Sequence, residues 1–110
     1  MPKRFVRARP KHQRLAELRE RLNSDEIEAM EPFGRAMTRA LEKARYDPET
    51  DEAVWIEEDY CSPPLAMERA EVLDDYFEEI TIVEEDVDES TGWQQIDDLP
   101  GLWEQVLDKV

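Results

Sequence analysis

In the first half of the chain, apolar residues recur at steps of three and four, as in helices that pack on a core. Leu15, Leu18 and Leu22 predict one buried helix face. A second stripe continues to residue 44 with Pro32 inside it, so the second helix either bends there or ends and restarts. The positions of this stripe are Ile27, Met30, Phe33, Met37, Leu41 and Ala44. Both helices are therefore expected to bury one side.

Two later segments have the residue types and the alternation of β-strands. In AVWIEE, residues 53–58, Val54 and Ile56 point to one face of the predicted strand and Trp55 to the other. In ITIV, residues 80–83, consecutive β-branched residues favour a second strand.

Turn and helix signals surround these strands. DPETDE at 47–52 predicts a turn, because Asp and Pro occupy favoured turn positions. Ser62 and Pro63 predict the start of a helix between the strands, and VEEDVDESTG at 83–92 predicts an exposed loop. A short helix is expected to close the chain. The expected buried residues of these two helices are Leu65, Val72, Leu73, Tyr76 and Phe77, and then Leu102, Trp103, Val106 and Leu107.

These elements predict a small single α+β domain in the order α-α-β-α-β-α, with two or three short strands packed against helices. A strand, a helix and a second strand favour a right-handed crossover with parallel strands. Two strands alone are only marginally stable. Either helices cover both faces, or a further strand comes from residues 42–47 or from a second subunit. The length of 110 residues fits one domain.

Charge divides the chain into two zones. Residues 1–21 carry eight Lys or Arg against two Glu, a net charge of +6, whereas residues 22–110 carry six against 27 acids, a net charge of −21. Pro2 and Pro10 resist helix formation, so residues 1–11 are expected to be a basic extended arm and residues 12–110 the acidic domain. The arm's candidate partner-binding residues are Lys3, Arg4, Phe5, Arg7, Arg9, Lys11 and Arg14.

Three interpretations of the basic arm stay open at this point. It can dock on a protein partner by placing Phe5 and Val6 in a groove, with charge pairs on either side. It can bind nucleic acid through residues 1–14 by displacing counterions from phosphates, although a single aromatic residue is few for a base-stacking surface. It can also fold back on the acidic body of its own chain, or stay solvated.

The acidic body also has several interpretations. Clustered carboxylates can mimic a phosphate backbone and occupy a basic groove, as in a DNA-mimic or antitoxin-like inhibitor. The same acidity can be a solvation device in a salt-adapted organism. The three tryptophans, Trp55, Trp93 and Trp103, are expected at the core or its edge, and if one of them is exposed it is expected to be Trp93, which follows the acidic run. The candidate partner-binding residues are Asp74, Asp75, Glu78, Glu79, Glu84, Glu85, Asp86, Asp88 and Trp93.

The residues that could support catalysis or metal binding are few. His12 is the single histidine and Cys61 the single cysteine, and with 29 acids, carboxylate pairs occur by chance. Residues 86–97 and 47–58 have EF-hand-like acid spacing, but Thr91 and Glu52 occupy the position that requires glycine. We therefore expect no enzyme activity, no catalytic residue, no metal and no cofactor.

The remaining sequence features concern compartment and partners. No apolar run approaches the 18 residues that a membrane span requires, and Cys61 cannot form an internal disulfide, which suits a reducing cytoplasm. We expect a cytoplasmic interaction protein with a protein partner and no membrane association; a homodimer is compatible with the sequence. The expected function is that of a non-catalytic adaptor or regulator.

Overall fold

Residues 3–10, which lie in the predicted arm, form an inner strand of the sheet. The structure, a computed structural model, describes residues 3–58 and 65–104. Strand β1 pairs antiparallel with β3 on one side and with β4 on the other, and β2 pairs antiparallel with β3. The four-stranded sheet therefore has the order β2-β3-β1-β4. The strands are β1 (Lys3–Pro10), β2 (Arg45–Asp47), β3 (Glu52–Glu58) and β4 (Phe77–Glu84).

Short helices fill the connections between the strands. A 3-10 turn at His12–Arg14 leads into α1, and the helical segment before β4 contains a π-helical stretch, Arg69–Leu73, between α3 and α4. A further helical turn begins at Leu102. The helices are α1 (Leu15–Asn23), α2 (Gly34–Glu42), α3 (Ala66–Glu68), α4 (Asp74–Tyr76) and α5 (Glu89–Ile96).

Apolar residues on the two faces of β3 enter two separate clusters. Trp55 lies in the main cluster with residues of α1 and α2, whereas Val54 and Ile56 lie in a smaller cluster that α5 covers. This confirms the predicted alternation of the strand, and it places helices on both faces of the sheet. Gly92 allows the close packing of α5, because a Cβ there would lie 2.8 Å from Cδ1 of Ile56.

Helix α1 is confirmed, and the stripe that follows it is buried in a different backbone form. Leu15, Leu18 and Leu22 are all buried on α1. Residues 24–33 form turns, and α2 begins at Gly34 instead of continuing through a bend at Pro32. A Cβ on Gly34 would collide with the backbone oxygen of Ile27 and lie 2.6 Å from that of Glu28, so this close approach requires glycine.

The predicted element order and strand count are corrected by the structure. The first described element is a strand, and the extra strand anticipated within residues 42–47 is β2, followed by the predicted turn. Strands β3 and β4 run in the same direction, but β1 lies between them and is antiparallel to both. The domain is therefore α+β with an antiparallel sheet in place of a parallel pair.

The predicted loop at 83–92 is also corrected. Strand β4 continues to Glu84, and α5 begins at Glu89 after a short bend. The side chain of Asp88 accepts a hydrogen bond from the backbone N–H of Thr91 (3.0 Å), which caps the helix. Leu102 and Trp103 are buried as expected. The predictions for Cys61, Ser62, Pro63, Val106 and Leu107 lie outside the described residues.

Candidate interaction surfaces

The residues of the predicted arm alternate between the two faces of strand β1. Val6 and Ala8 enter the main core cluster, whereas Phe5 enters the smaller one. Arg7 and Arg9 share the parity of Phe5 along the strand. The segment is extended, as expected, but it is hydrogen bonded to a neighbouring strand on each side. The expectation of an arm separate from the domain is therefore corrected.

The cations of β1 form ion pairs with carboxylates of the same chain. Lys3 Nζ lies 3.1 Å from Glu58 Oε2 and 3.7 Å from a carboxylate oxygen of Glu89. Arg9 Nη1 lies 3.0 Å from Glu79 Oε2. The antiparallel register explains these ion pairs, because it places basic residues of β1 beside acidic residues of β3 and β4.

The ion pairs that Arg7 forms are the least exposed of those on β1. Its Nη1 donates to Asp47 Oδ2 (3.2 Å) and to Glu52 Oε1 (3.0 Å), and all three side chains are less than one-third exposed. Burial raises the pKa of Asp47, but the hydrogen bonds from Arg7 and from the backbone N–H of Glu49 more than offset it and hold the pKa below its ordinary value. Through Arg7, these two carboxylates hold the β2–β3 hairpin against β1.

The remaining candidate cations also bind their own chain. Arg4 donates to the backbone oxygen of Glu85. Lys11 Nζ donates to the backbone oxygen of Asp74 (2.9 Å). Arg14 donates to the backbone oxygen of Asp75 (3.1 Å) and to Glu17 Oε2 (2.8 Å). The predicted arm therefore has its polar groups engaged within the fold.

His12 belongs to the same internal network. Its Nε2 lies 2.6 Å from Asp51 Oδ1, and the Tyr46 hydroxyl donates to the same oxygen at 2.7 Å. Burial and the nearby Asp51 carboxylate raise the pKa of Tyr46 to about 12. The contacts of His12 thus secure the β2–β3 turn.

Some of the predicted acidic residues have local structural roles. Asp74 pairs with Arg69 (3.4 Å), and Glu79 pairs with Arg9. Asp88 is the cap of α5, and the hydrogen bond from the backbone N–H of Thr91 lowers its pKa. These three carboxylates stabilise neighbouring elements and are not wholly available to a partner.

Five other acidic side chains lie along edge strand β4 and its two ends. All five are exposed, and their carboxylates have no hydrogen-bond or ion-pair partner within residues 3–58 and 65–104. In the described part of the sheet, β4 pairs with β1 alone, so its other side carries no strand. Val83, between these acids, is 48% exposed. We call this surface the acidic edge; it comprises Asp75, Glu78, Glu84, Glu85 and Asp86.

The three tryptophans differ in exposure. Trp55 and Trp103 are buried, as expected, and their indole N–H groups donate to Glu57 Oε1 (2.8 Å) and to the backbone oxygen of Leu41 (2.7 Å). Trp93 is half-buried at the edge of the core, and Lys43 Nζ lies 4.5 Å from its ring centroid. Trp93 therefore belongs to a surface beside α2 and not to an acidic loop.

The described residues contain no group of three or more His, Cys, Asp or Glu that could hold a metal ion. Residues 47–58 form a turn and strand β3, and residues 86–97 contain helix α5, so neither EF-hand-like segment is a loop between two helices. No helix in the described residues is long and apolar enough to span a bilayer.

Comparison of this chain with known protein families, with curated proteins and with solved structures finds no match to any of them.

Proposed function

We propose that this protein is a non-catalytic interaction protein whose acidic edge binds a basic surface of a protein partner. One observation carries the proposal: the carboxylates of the acidic edge are exposed without partners in the described residues, while the cations of β1 are paired internally. The attraction between the two charged zones is thus already satisfied within the fold. Part of the excess negative charge faces outwards along β4 and at its two ends.

Charge physics supports this direction of binding. The chain carries a net charge of −15, so its acidic residues repel one another and attract a cationic surface at long range. Such complementarity mainly raises the association rate and excludes wrong partners. Val83, which is exposed beside Glu84, adds an apolar contact to the acidic edge.

A nucleic-acid-binding protein presents a basic surface of this kind. A group of exposed carboxylates without partners in the described residues, along β4 and at its two ends, supports the DNA-mimic or antitoxin-like form of the proposal. Direct binding of nucleic acid through residues 1–14 has less support, because those cations contact the chain's own oxygen atoms.

The test compares two variants of equal charge. The edge variant carries Glu78→Gln, Glu84→Gln, Glu85→Gln and Asp86→Asn. The control variant carries four neutralising changes at exposed acids elsewhere, namely Glu20→Gln, Glu28→Gln, Glu31→Gln and Glu71→Gln. Both are titrated by calorimetry against a panel of folded basic proteins that includes DNA-binding domains, at two salt concentrations.

We expect the edge variant to bind its best panel member about tenfold more weakly than the wild type, and the control variant to lose much less. Equal losses in the two variants would mean that total charge acts without a defined surface and would overturn the proposal. Absence of binding to every basic panel member would overturn it as well. A panel of DNA and RNA oligonucleotides run in parallel tests the arm hypothesis directly.

A further inference from the structure

A second charged surface lies beside helix α2, where a cavity of about 400 Å³ opens between α2, the end of β3 and α5. Arg35, Arg39 and Lys43 line it at steps of four residues, and therefore form one stripe with about 6 Å between successive positions. We call this cavity the α2 groove. Its volume lies within the range of small-molecule sites.

Two cations of this stripe are unusual for this chain. Among the Lys and Arg of residues 3–58 and 65–104, only Arg35 and Arg39 contact no carboxylate, carbonyl oxygen or aromatic ring. The chain has 29 acids against 14 basic residues, so carboxylates are not scarce. Like charges four residues apart on a helix are destabilising. The stripe is therefore not explained by the stability of α2.

The floor of the α2 groove is apolar. Ala36, Ala40, Ile56 and Trp93 line it beside the cations. The indole N–H of Trp93 is buried without a hydrogen-bond partner in the described residues, and a buried donor of this kind normally has an acceptor. Because the ring of Trp93 lines the groove, its indole signal is sensitive to what occupies the groove.

Carboxylates also line the α2 groove, and they limit its positive potential. Glu58 and Glu89 are held by Lys3, at 3.1 and 3.7 Å, and Glu42 lies on α2 beside the stripe. The side of the groove formed by Arg35 and Arg39 is therefore the side with positive potential. At physiological ionic strength the screening length is about 8 Å, so these local charges outweigh the distant negative charge of the chain.

We propose that the α2 groove binds a small anion that carries a carboxylate or phosphate group attached to an apolar or aromatic portion. Arg35 and Arg39 hold the oxygen atoms, because a guanidinium presents donors in a fork that matches carboxylate and phosphate geometry. The apolar portion lies against Trp93 and the two alanines of α2. This site is separate from the acidic edge and does not depend on the function proposed for that surface.

The test uses NMR titration of the full chain with inorganic phosphate, phenyl phosphate and benzoate. The indole N–H signal of Trp93, assigned with Trp93→Phe, reports occupancy directly. The groove variant carries Arg35→Gln and Arg39→Gln. The control variant carries Arg9→Gln and Arg69→Gln, which remove two exposed cations outside the groove. Thermal melting of both variants verifies that they fold.

We expect the signal of Trp93 to shift saturably with phenyl phosphate or benzoate, and more weakly with inorganic phosphate. The groove variant should bind about tenfold more weakly or worse, with the control within about twofold of the wild type. Saturable binding of either aromatic probe supports the proposal, and a preference between them shows which anionic group the groove binds more tightly. No shift with any of the three probes, or equal losses in both variants, would overturn the proposal.

Discussion

Strand β1 and helix α2 both carry arginines at a regular spacing, yet the contacts of those arginines differ. In β1, Arg7 and Arg9 contact carboxylates of β2, β3 and β4. In α2, Arg35 and Arg39 have no such contact within the described residues. A basic segment is therefore not free to bind a partner where the fold pairs its cations with carboxylates of the same chain.

The physical difference lies in what surrounds each element. An inner strand has neighbours on both sides, with opposite side chains about 4.5–5.5 Å apart. The stripe of α2 meets a groove, and its helical neighbours at steps of four are also cations. Basic residues in a linear sequence therefore do not by themselves locate a basic surface.

The largest effect is expected from deleting residues 1–10. The deletion removes the strand that joins β3 to β4, so we expect loss of cooperative thermal unfolding by circular dichroism and loss of dispersed NMR signals. A free arm would leave both unchanged. A deleted chain that melts like the full-length protein would contradict the position of β1 in the sheet.

We expect a smaller loss of stability from Arg7→Gln, and almost none from Arg39→Gln. Arg7→Gln leaves Asp47 and Glu52 close together without their cation, which should cost about 1–2 kcal/mol of the free energy of unfolding. Arg39→Gln removes an exposed charge beside like charges and should change it by less than about 0.5 kcal/mol.

Urea denaturation of the two variants measures this difference. The same charge is removed in each, so net charge is controlled. Equal losses would mean that the ion pairs of β1 contribute no more than an exposed cation of α2.

The smallest expected effect is the change in the stability contribution of Asp47 with pH. The folded pKa of Asp47 lies below its ordinary value of 3.8, so its stabilising contribution is present above pH 3.8 and is lost as pH falls through the folded pKa. At pH 7, Asp47→Asn should be less stable than the wild type by about 1 kcal/mol.

Urea midpoints measured from pH 7 down to pH 2 test this prediction. The gap between Asp47→Asn and the wild type should narrow as Asp47 becomes protonated. A gap that stays constant over this range would show that the charge of Asp47 does not cause it.

Local patterns predicted much of the helices and of strand β3. The spacing of Leu15, Leu18 and Leu22 identified α1, and the alternation around Trp55 identified the two faces of β3. Both signals act within a few residues, so tertiary contacts did not need to be known.

Strand β1 was missed because its signal is short and its partners are distant. Val6 and Ala8 alternate with arginines, but two prolines and the high charge favoured an arm over a strand. Whether this segment forms a strand depends on its pairing with β3 and β4, and no pattern within a few residues shows that pairing. The same applies to the cationic stripe of α2, whose spacing of four was visible while the groove beside it was not.

The pairing of β1 also affects how the chain folds. Its contacts run from Lys3 opposite Glu58 to Pro10 opposite Phe77, so long loops must close before the sheet can form. Closing such loops slows folding relative to helical proteins of similar size. During synthesis the basic segment leaves the ribosome well before the acidic strands that neutralise it. Its arginines are exposed to other molecules in that interval, until the last strand docks.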